Sequence, residues 1–528
     1  MSQKKLKMLF LKISGSWPQR EVKQSHSKLP LMVLQESYTE IGSKKGKPST
    51  KAVAFSVGKM LTCAIAIVIV MYLYLQNSVR SRFSITRSTD LNELVVPVEY
   101  KLFINASEFP ASRFSGAADI SVMLTSSSKV IELNAENLAI SSAFASFQGF
   151  NVALNSVAGE SGILLLKAAS NIPKGQIVLK LRYSGEIGQS SYGFFRSPSR
   201  NNLDDGATQF QPFGARQAFP CFDLPRFKAS YVLTIAHPSS YIAKSNALVD
   251  SMTTLNGITT SIFNPTIRLP TYLVAWSLSQ LNHFQSTFAN EVYIRIWSDP
   301  VDTVAASFIL HVAAKSVTIM SRILSVDLPN PKIDILAASD FPGEGMENNG
   351  LIIMSRQGIF GSGSDEMSLS ERQYAALLTS HEIVHHWLGN LVTPYIWDEL
   401  WISEGFAEYF QAFICNEIFP EWDQWSLFAF EEHYLAFNTD TSKYAHPLFK
   451  ESRSLNETYS LFDDISYNKG ASVIRMMVFI IGEDIFFKQL GAYVNEHALS
   501  SGTTKSLLDS ISLPQLPVTF PQLMYYYP

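Results

Sequence analysis

His381-Glu382-Ile383-Val384-His385 sets two imidazoles four residues apart, with a carboxylate beside the first. On a helix, positions i and i+4 share one face at about 6 Å, so both rings can reach one ion. Zinc accepts such nitrogens at about 2.0–2.1 Å. The same pattern also suits a polar helix face whose histidines are satisfied elsewhere, so a third donor has to decide. Glu404 follows His385 after eighteen intervening residues and opens a second helical stretch, Glu404–Ile418, behind Trp401-Ile-Ser. A helical hairpin can return that carboxylate to the two rings. Two imidazoles and one carboxylate leave a fourth position for water, the donor set of a catalytic rather than a structural zinc site. Zinc acidifies such a water, and Glu382 stands where it can take the proton as the water attacks a carbonyl.

The elements that must position these groups are legible in outline. Ser370 followed by Gln373 predicts a capping box, opening a helix through Tyr374, Leu377, Leu378 and His381 to about Gly389. Upstream, Ser307–Leu324 carries Phe308, Val312, Ile319 and Ile323 at helical spacing, and KIDILAA (Lys332–Ala338) reads as a strand entering a glycine-containing turn. Before these, IVLKLRY (Ile177–Tyr183), YVLTIAH (Tyr231–His237) and YLVAWSL (Tyr272–Leu278) read as strands, punctuated by Pro173-Lys-Gly and Asn256-Gly. YIRIW (Tyr293–Trp297) closes the β-rich part. The fold class is therefore multidomain α+β, an antiparallel β-sandwich over 95–283 followed by a mostly helical domain over 284–512.

Composition narrows the function classes. The 528 residues are 46% hydrophobic and 17% charged, which excludes a disordered chain, and a net charge of −4 gives no footing for nucleic acid. Three cysteines make no disulfide framework; Cys63 lies in an apolar run, and Cys221 and Cys415 can meet only by a long-range contact. Met60–Val79 holds no charge, and with Ala52–Gly58 it predicts one transmembrane helix over 52–77. Lys44, Lys45, Lys47, Lys51 and Lys59 precede it against Arg80, Arg82 and Arg87 after it, so 1–51 is expected in the cytosol. With 78–94 as a stalk, this is a single-pass type II protein of the plasma membrane with its bulk outside. The sequons at Asn105 and Asn456 both fall on the outer side.

HEIVHHWLGNLVTPYIWDELWISEGFAEYF (His381–Phe410) resembles the HExxHxW…NEGFA zinc motif of the gluzincin metallo-aminopeptidases, the group that contains membrane alanyl aminopeptidase (aminopeptidase N). The likeness covers about residues 95–510. It takes in TQFQPFGARQAFPCFDLPRFKASY (Thr208–Tyr231), GEGMENNGLI (Gly343–Ile352) and ISYNKGASVIRMM (Ile465–Met477) in the same order. The resemblance implies a thermolysin-like catalytic domain, one zinc ion per chain and removal of N-terminal residues from peptides with a free N-terminus. It makes Gly345, Met346, Glu347 and Asn348 the substrate-binding exopeptidase motif, with Glu347 on the α-amine and Gln211 helping to hold it. Tyr467 matches the family's catalytic tyrosine, a donor to the oxyanion. Glu408, one turn beyond Glu404, is placed to orient a histidine.

Two departures stand out. Glu344 replaces the first glycine of the exopeptidase motif, which would shift side-chain preference toward basic residues or lower activity. Leu224 stands where relatives usually carry glutamate. Relatives also continue for several hundred residues, whereas this chain ends in a segment, 513–528, with Pro514, Pro517, Pro521 and Pro528. A truncated product is expected, which admits a second role as a weakly active or non-catalytic membrane partner. A homodimer is compatible with either.

Overall fold

The computed structural model describes residues 91–511, apart from 92, 189–191, 198–203, 282–283, 299–301 and 362–366. The expected cytosolic tail, membrane segment 52–77, most of the stalk and the segment 513–528 lie outside the described residues. Alternation at period two builds the first half. In Gly175–Glu186 the side chains of Ile177, Leu179, Leu181 and Tyr183 turn inward while their neighbours face out. Ten strands form one sheet in the order Val249–Leu255, Ile258–Phe263, Ser230–Pro238, Val95–Asn105, Arg113–Leu124, Gly175–Glu186, Ala139–Phe147, Phe150–Ala158, Ile163–Ile172, Ser128–Asn134. Four more, Ile242–Ser245, Trp276–Ser279, Asp205–Gln209 and Gly193–Ser197, form a second sheet. The two share a core in which Phe114 meets Phe194 at 5.9 Å between ring centroids and Phe194 meets Trp276 at 5.5 Å.

The sheet is not wholly antiparallel as expected. Val95–Asn105 pairs in parallel with Ser230–Pro238, and Tyr100 stacks on Tyr231 across that seam at 4.8 Å. A parallel pair needs a long crossover, and the chain between Asn105 and Ser230 supplies it. YLVAWSL also departs from its reading. Thr271–Leu273 is a 3₁₀ turn behind Pro270, and the strand is only Trp276–Ser279.

The second half opens on a five-stranded sheet in the order Phe284–Ala289, Val292–Trp297, Lys332–Ala338, Leu351–Ser355, Gly345–Met346, with Gly345–Met346 on the edge. Helix α1 (Thr303–Leu324) is long and apolar enough to cross a membrane, yet half of its most apolar stretch is buried in the protein. Its Val312 clusters with Ala376 and Cys415, and its Ser316 Oγ lies 3.2 Å from Ser380 Oγ. It is a core helix. Then follow α2 (Leu369–Val384), α3 (Trp401–Ile418), a π-helical turn (Ile465–Lys469), α4 (Gly470–Ile481) and α5 (Glu483–Glu496), with shorter helices between them. The capping box on α2 is made by Ser368 and Glu371, not by Ser370 and Gln373. Ser370 therefore sits inside the first turn. Helix α3 likewise begins at Trp401, three residues before the expected start. Cys221 and Cys415 are free thiols in separate cores.

Every residue of Lys332–Ala338 is buried, two charges included. Lys332 Nζ donates to Asp334 (2.6 Å), Ser245 O (2.5 Å) and Gly350 O (2.8 Å), which ties the four-stranded sheet to the five-stranded one. Arg295 grips both Asp334 oxygens, and Trp297 Nε1 adds a bond at 2.9 Å. Removing one member of such a set leaves buried charge unpaired. Asp334→Ala is expected to cost about 3–5 kcal/mol in urea unfolding, whereas loss of an exposed pair such as Arg322–Glu417 should cost about 1 kcal/mol or less.

Candidate active site

His381 and Glu382 lie in the last turn of α2, and His385 caps it in helical geometry, its N–H on His381 O. Glu404 comes from the first turn of α3. Helix α3 reaches the π-helical turn because two glycines meet. A Cβ on Gly405 would lie 2.9 Å from the Gly470 backbone, so the close approach requires both residues to be bare. That approach lays the Tyr467 ring parallel to His381 at 6.2 Å.

The rings are oriented from behind. His381 Nδ1 faces Gln411 Oε1 at 3.1 Å, and His385 Nδ1 faces Leu388 O at 3.1 Å. A carbonyl oxygen only accepts, so each ring carries its proton on Nδ1 and turns a bare Nε2 inward. Gln411 is itself held, its amide donating to Glu408 Oε1 at 2.5 Å, and Glu408 Oε2 lies 3.3 Å from His381 Nδ1. The two Nε2 atoms are 3.0 Å apart, and Glu404 Oε2 stands 3.4 and 3.2 Å from them. Three lone-pair donors this close repel one another unless positive charge lies among them. Donors at the usual zinc distance around a tetrahedron stand about 3.3 Å apart. The triangle fits.

The electrostatics favour positive charge at the same point, whether a proton on Nε2 or a metal ion. Burial opposes charge on both rings, yet Glu404 and Glu408 hold His381 well above its ordinary value, and Glu404 with Glu347 brings His385 up to about 9. Burial works against the Glu404 carboxylate too, but the two histidines bring it down to about 2. The same two histidines act on Glu382, but burial outweighs them. This glutamate is 4% exposed, its Oε2 has no hydrogen bond among the described residues, and burial pushes it up to about 8. A Cβ at Gly345 would fall 2.2 Å from Glu382 Oε1, so the edge strand passes directly over this carboxylate.

The remaining candidates gather in the same place. Glu347 is buried, its carboxyl accepts from Gln211 Nε2 at 3.0 Å, and its backbone oxygen accepts from Asn390 Nδ2 at 2.8 Å. Burial raises its carboxyl above the ordinary range. Met346 Sδ meets Gln209 Nε2 at 3.4 Å. Asn348 is buried with no partner for its side-chain amide among the described residues. Burial and the surrounding carboxylates raise the Tyr467 phenol well above its ordinary value, so it stays a donor. Glu344 lines the cleft, which holds about 500 Å³, and accepts from Ser355 Oγ at 3.3 Å. Leu224 is seated in the apolar core, at 5% exposure. The sequons lie apart: Asn105 ends a strand and accepts from Ser107 N–H, and Asn456 is exposed on the short helix Leu455–Tyr459.

Sequence reasoning passes over Gln411, although Glu404, Glu408 and Gln411 at i, i+4 and i+7 share a face of α3. It also passes over Lys228, buried, whose Nζ donates to Asn390 O (2.9 Å) and Leu391 O (3.1 Å) just past the second histidine. Tyr272 OH adds a bond to Gly389 O at 3.0 Å. No short-range pattern marks either contact.

Residues 308–520 match the Peptidase family M1 domain, and residues 96–273 match the Peptidase M1 N-terminal domain. The chain belongs to peptidase family M1. Aminopeptidase M1-D of Oryza sativa subsp. japonica is 33% identical over 420 residues, 79% of this chain and 48% of that protein. Aminopeptidase N of Rattus norvegicus is 32% identical over 350 residues, 64% and 36% of the two chains. Aminopeptidase 2, mitochondrial, of Saccharomyces cerevisiae is 29% identical over 429 residues, 80% and 45%. The chain spans about half the length, or less, of these relatives. M1 peptidases of the gluzincin type use zinc, and among the described residues His381, His385 and Glu404 form a cluster that could hold one. Because Gln411 fixes the proton on His381 Nδ1, Gln411→Leu is expected to weaken zinc binding about tenfold or more, read by chelator competition.

Proposed function

We propose that this M1 chain is a zinc-dependent aminopeptidase that hydrolyses the first residue from peptides with a free N-terminus. The observation that carries the reading is a buried carboxylate, Glu347, that is hydrogen-bonded by the uncharged Gln211 amide and lies beside the three-donor cluster. An α-ammonium supplies the missing charge, with Gln211 holding the acceptor oxygen in place. A blocked terminus leaves the carboxylate buried and unpaired, which is costly. Gly345 and Met346 pair on one side with Met354 and Ile353 and form the sheet edge, along which a peptide backbone can add as a strand.

When bound, zinc supplies a Lewis acid for the first carbonyl and a more acidic water. Glu382, with one oxygen free and the edge strand packed over it, takes the proton from the attacking water and delivers it to the leaving nitrogen. Tyr467 donates its phenolic proton in a hydrogen bond to the developing oxyanion. His381 and His385 keep their orientation throughout, held by Gln411 and Leu388. The apolar run 52–77, preceded by the greater share of basic residues, supports a type II anchor with this cleft at the extracellular face of the plasma membrane.

Two substitutions test the roles. Glu382→Gln is expected to lower kcat on alanyl-arylamides by about 10²–10⁴ with zinc content unchanged; wild-type turnover by that variant would refute the base. Glu347→Gln should instead erode the preference for free over N-acetylated peptides by about tenfold or more. Undiminished discrimination would move the amine site elsewhere.

A further inference from the structure

The catalytic cleft has a direction, and its far end is acidic. Along α2, Tyr374, Leu377 and Leu378 precede His381, and His385 follows it. At 1.5 Å per residue, Tyr374 lies about 10 Å from His381, on the side away from His385. Glu347 is on the His385 side, since Asn390, just past His385, holds its backbone oxygen at 2.8 Å. A peptide whose amine sits on Glu347 and whose first carbonyl lies at the three donors must therefore run its later residues past His381 toward Tyr374.

That stretch is walled by carboxylates. Glu344, Glu408, Glu431 and Glu432 line the cleft together with Glu382, and no lysine or arginine is among the described lining residues. Tyr374 lines the same cleft, and Glu344, Glu408 and Glu382 all lie near enough to raise its phenol, so these acids belong to one region. Glu408 is engaged with His381 and Gln411. Glu432 is held by the Asn468 amide and contacts Glu408; burial and that neighbour push it up to about 9, the condition of an acid lacking a cation. A separate observation points to a missing ligand rich in donors. Two buried acceptors lining this cleft, Glu382 Oε2 and Gln209 Oε1, have no hydrogen-bond partner among the described residues.

We propose that Glu344, Glu431 and Glu432 form a cation-binding wall for the leaving part of the substrate, so that the enzyme prefers peptides with lysine or arginine directly after the scissile bond. The inference rests on the aminopeptidase reading for the direction in which the peptide lies. Glu344 and Glu431 are exposed, so solvent and salt screen them, and the preference should weaken as ionic strength rises.

The test uses the full chain with zinc and three peptides that differ only at the second residue: Ala-Lys, Ala-Gln and Ala-Glu, each followed by the same neutral sequence. The expected order of kcat/KM is lysine, glutamine, glutamate, with about tenfold or more between the ends. Glu344→Gln and Glu432→Gln should each narrow that ratio several-fold, chiefly by slowing the lysine peptide. Equal rates, or faster cleavage of the glutamate peptide, overturn the proposal while release of alanine from a neutral arylamide leaves the aminopeptidase reading standing. Equilibrium binding of the same peptides, fluorescently labelled at the C-terminus, to the Glu382→Gln chain gives a readout without turnover. Tighter binding of the lysine peptide supports the wall even if no peptide is cleaved, and indifference to the second residue sinks it.

Discussion

Two imidazole nitrogens and a carboxylate oxygen held within 3.4 Å of one another are the constraint around which the second half of this chain is arranged. Each is a lone-pair donor, each is largely or wholly removed from water, and without a cation among them the arrangement is repulsive. The fold commits to it from several directions. Helix α2 supplies the ring spacing, α3 supplies the acid, and the Gly405–Gly470 contact lets the turn bearing Tyr467 close over His381. Behind the rings, Gln411 and Leu388 fix which nitrogen is bare. Loosening any of these would cost more than one hydrogen bond, because the others are oriented by it.

The β-rich half is part of the same construction. Gln211 reaches Glu347, Lys228 ties down the carbonyls that follow His385, and Tyr272 binds Gly389. Lys228 is buried, and desolvation pulls its ammonium well below the ordinary value, so its two carbonyl acceptors are what make its burial tolerable. The segment Thr208–Tyr231 thus acts as a wedge between the first sheet and the catalytic helices. It is further stiffened by the fully buried Arg216–Asp223 pair at 2.8 Å, to which Thr271 adds a hydrogen bond. A sequence motif with no ionisable group at the chemistry itself still fixes the loop that carries the second ligand's neighbours.

What could be read from the sequence alone was whatever is local. The i, i+4 histidines declare themselves because helical geometry alone brings them together, and KIDILAA marks its strand because Ile333 and the run Ile335–Ala338 are apolar, as burial on both faces requires. The charges inside that strand were not legible: Lys332 and Asp334 are tolerable only because Ser245, Gly350 and Arg295 arrive from elsewhere in the chain. The parallel seam of the first sheet, the shortening of YLVAWSL and the shift of the α2 cap from Ser370 to Ser368 have similar causes. Pairing partners distant in sequence, a proline, and two overlapping capping-box patterns, Ser368 with Glu371 and Ser370 with Gln373, each leave the local code ambiguous. Gln411 is the instructive case, since an uncharged amide on a largely buried helix looks inert until the ring it orients is seen beside it.

Three buried carboxylates within one cleft are kept to different tasks by their surroundings alone. Glu404, paired with two rings, is down to about 2 and stays ionised as a donor. Glu382, packed under a glycine strand with one oxygen free, is up to about 8 before any cation arrives; a divalent charge beside it lowers that value and leaves a base ready to accept a proton. Glu347 has an amide neighbour that can donate but carries no charge, so its need for a cation persists until an ammonium ion comes. Exchanging the partners would exchange the roles, because the acids are chemically identical. The specificity of the site therefore resides less in its glutamates than in Gln211, Gly345 and the two histidines that decide what each glutamate lacks.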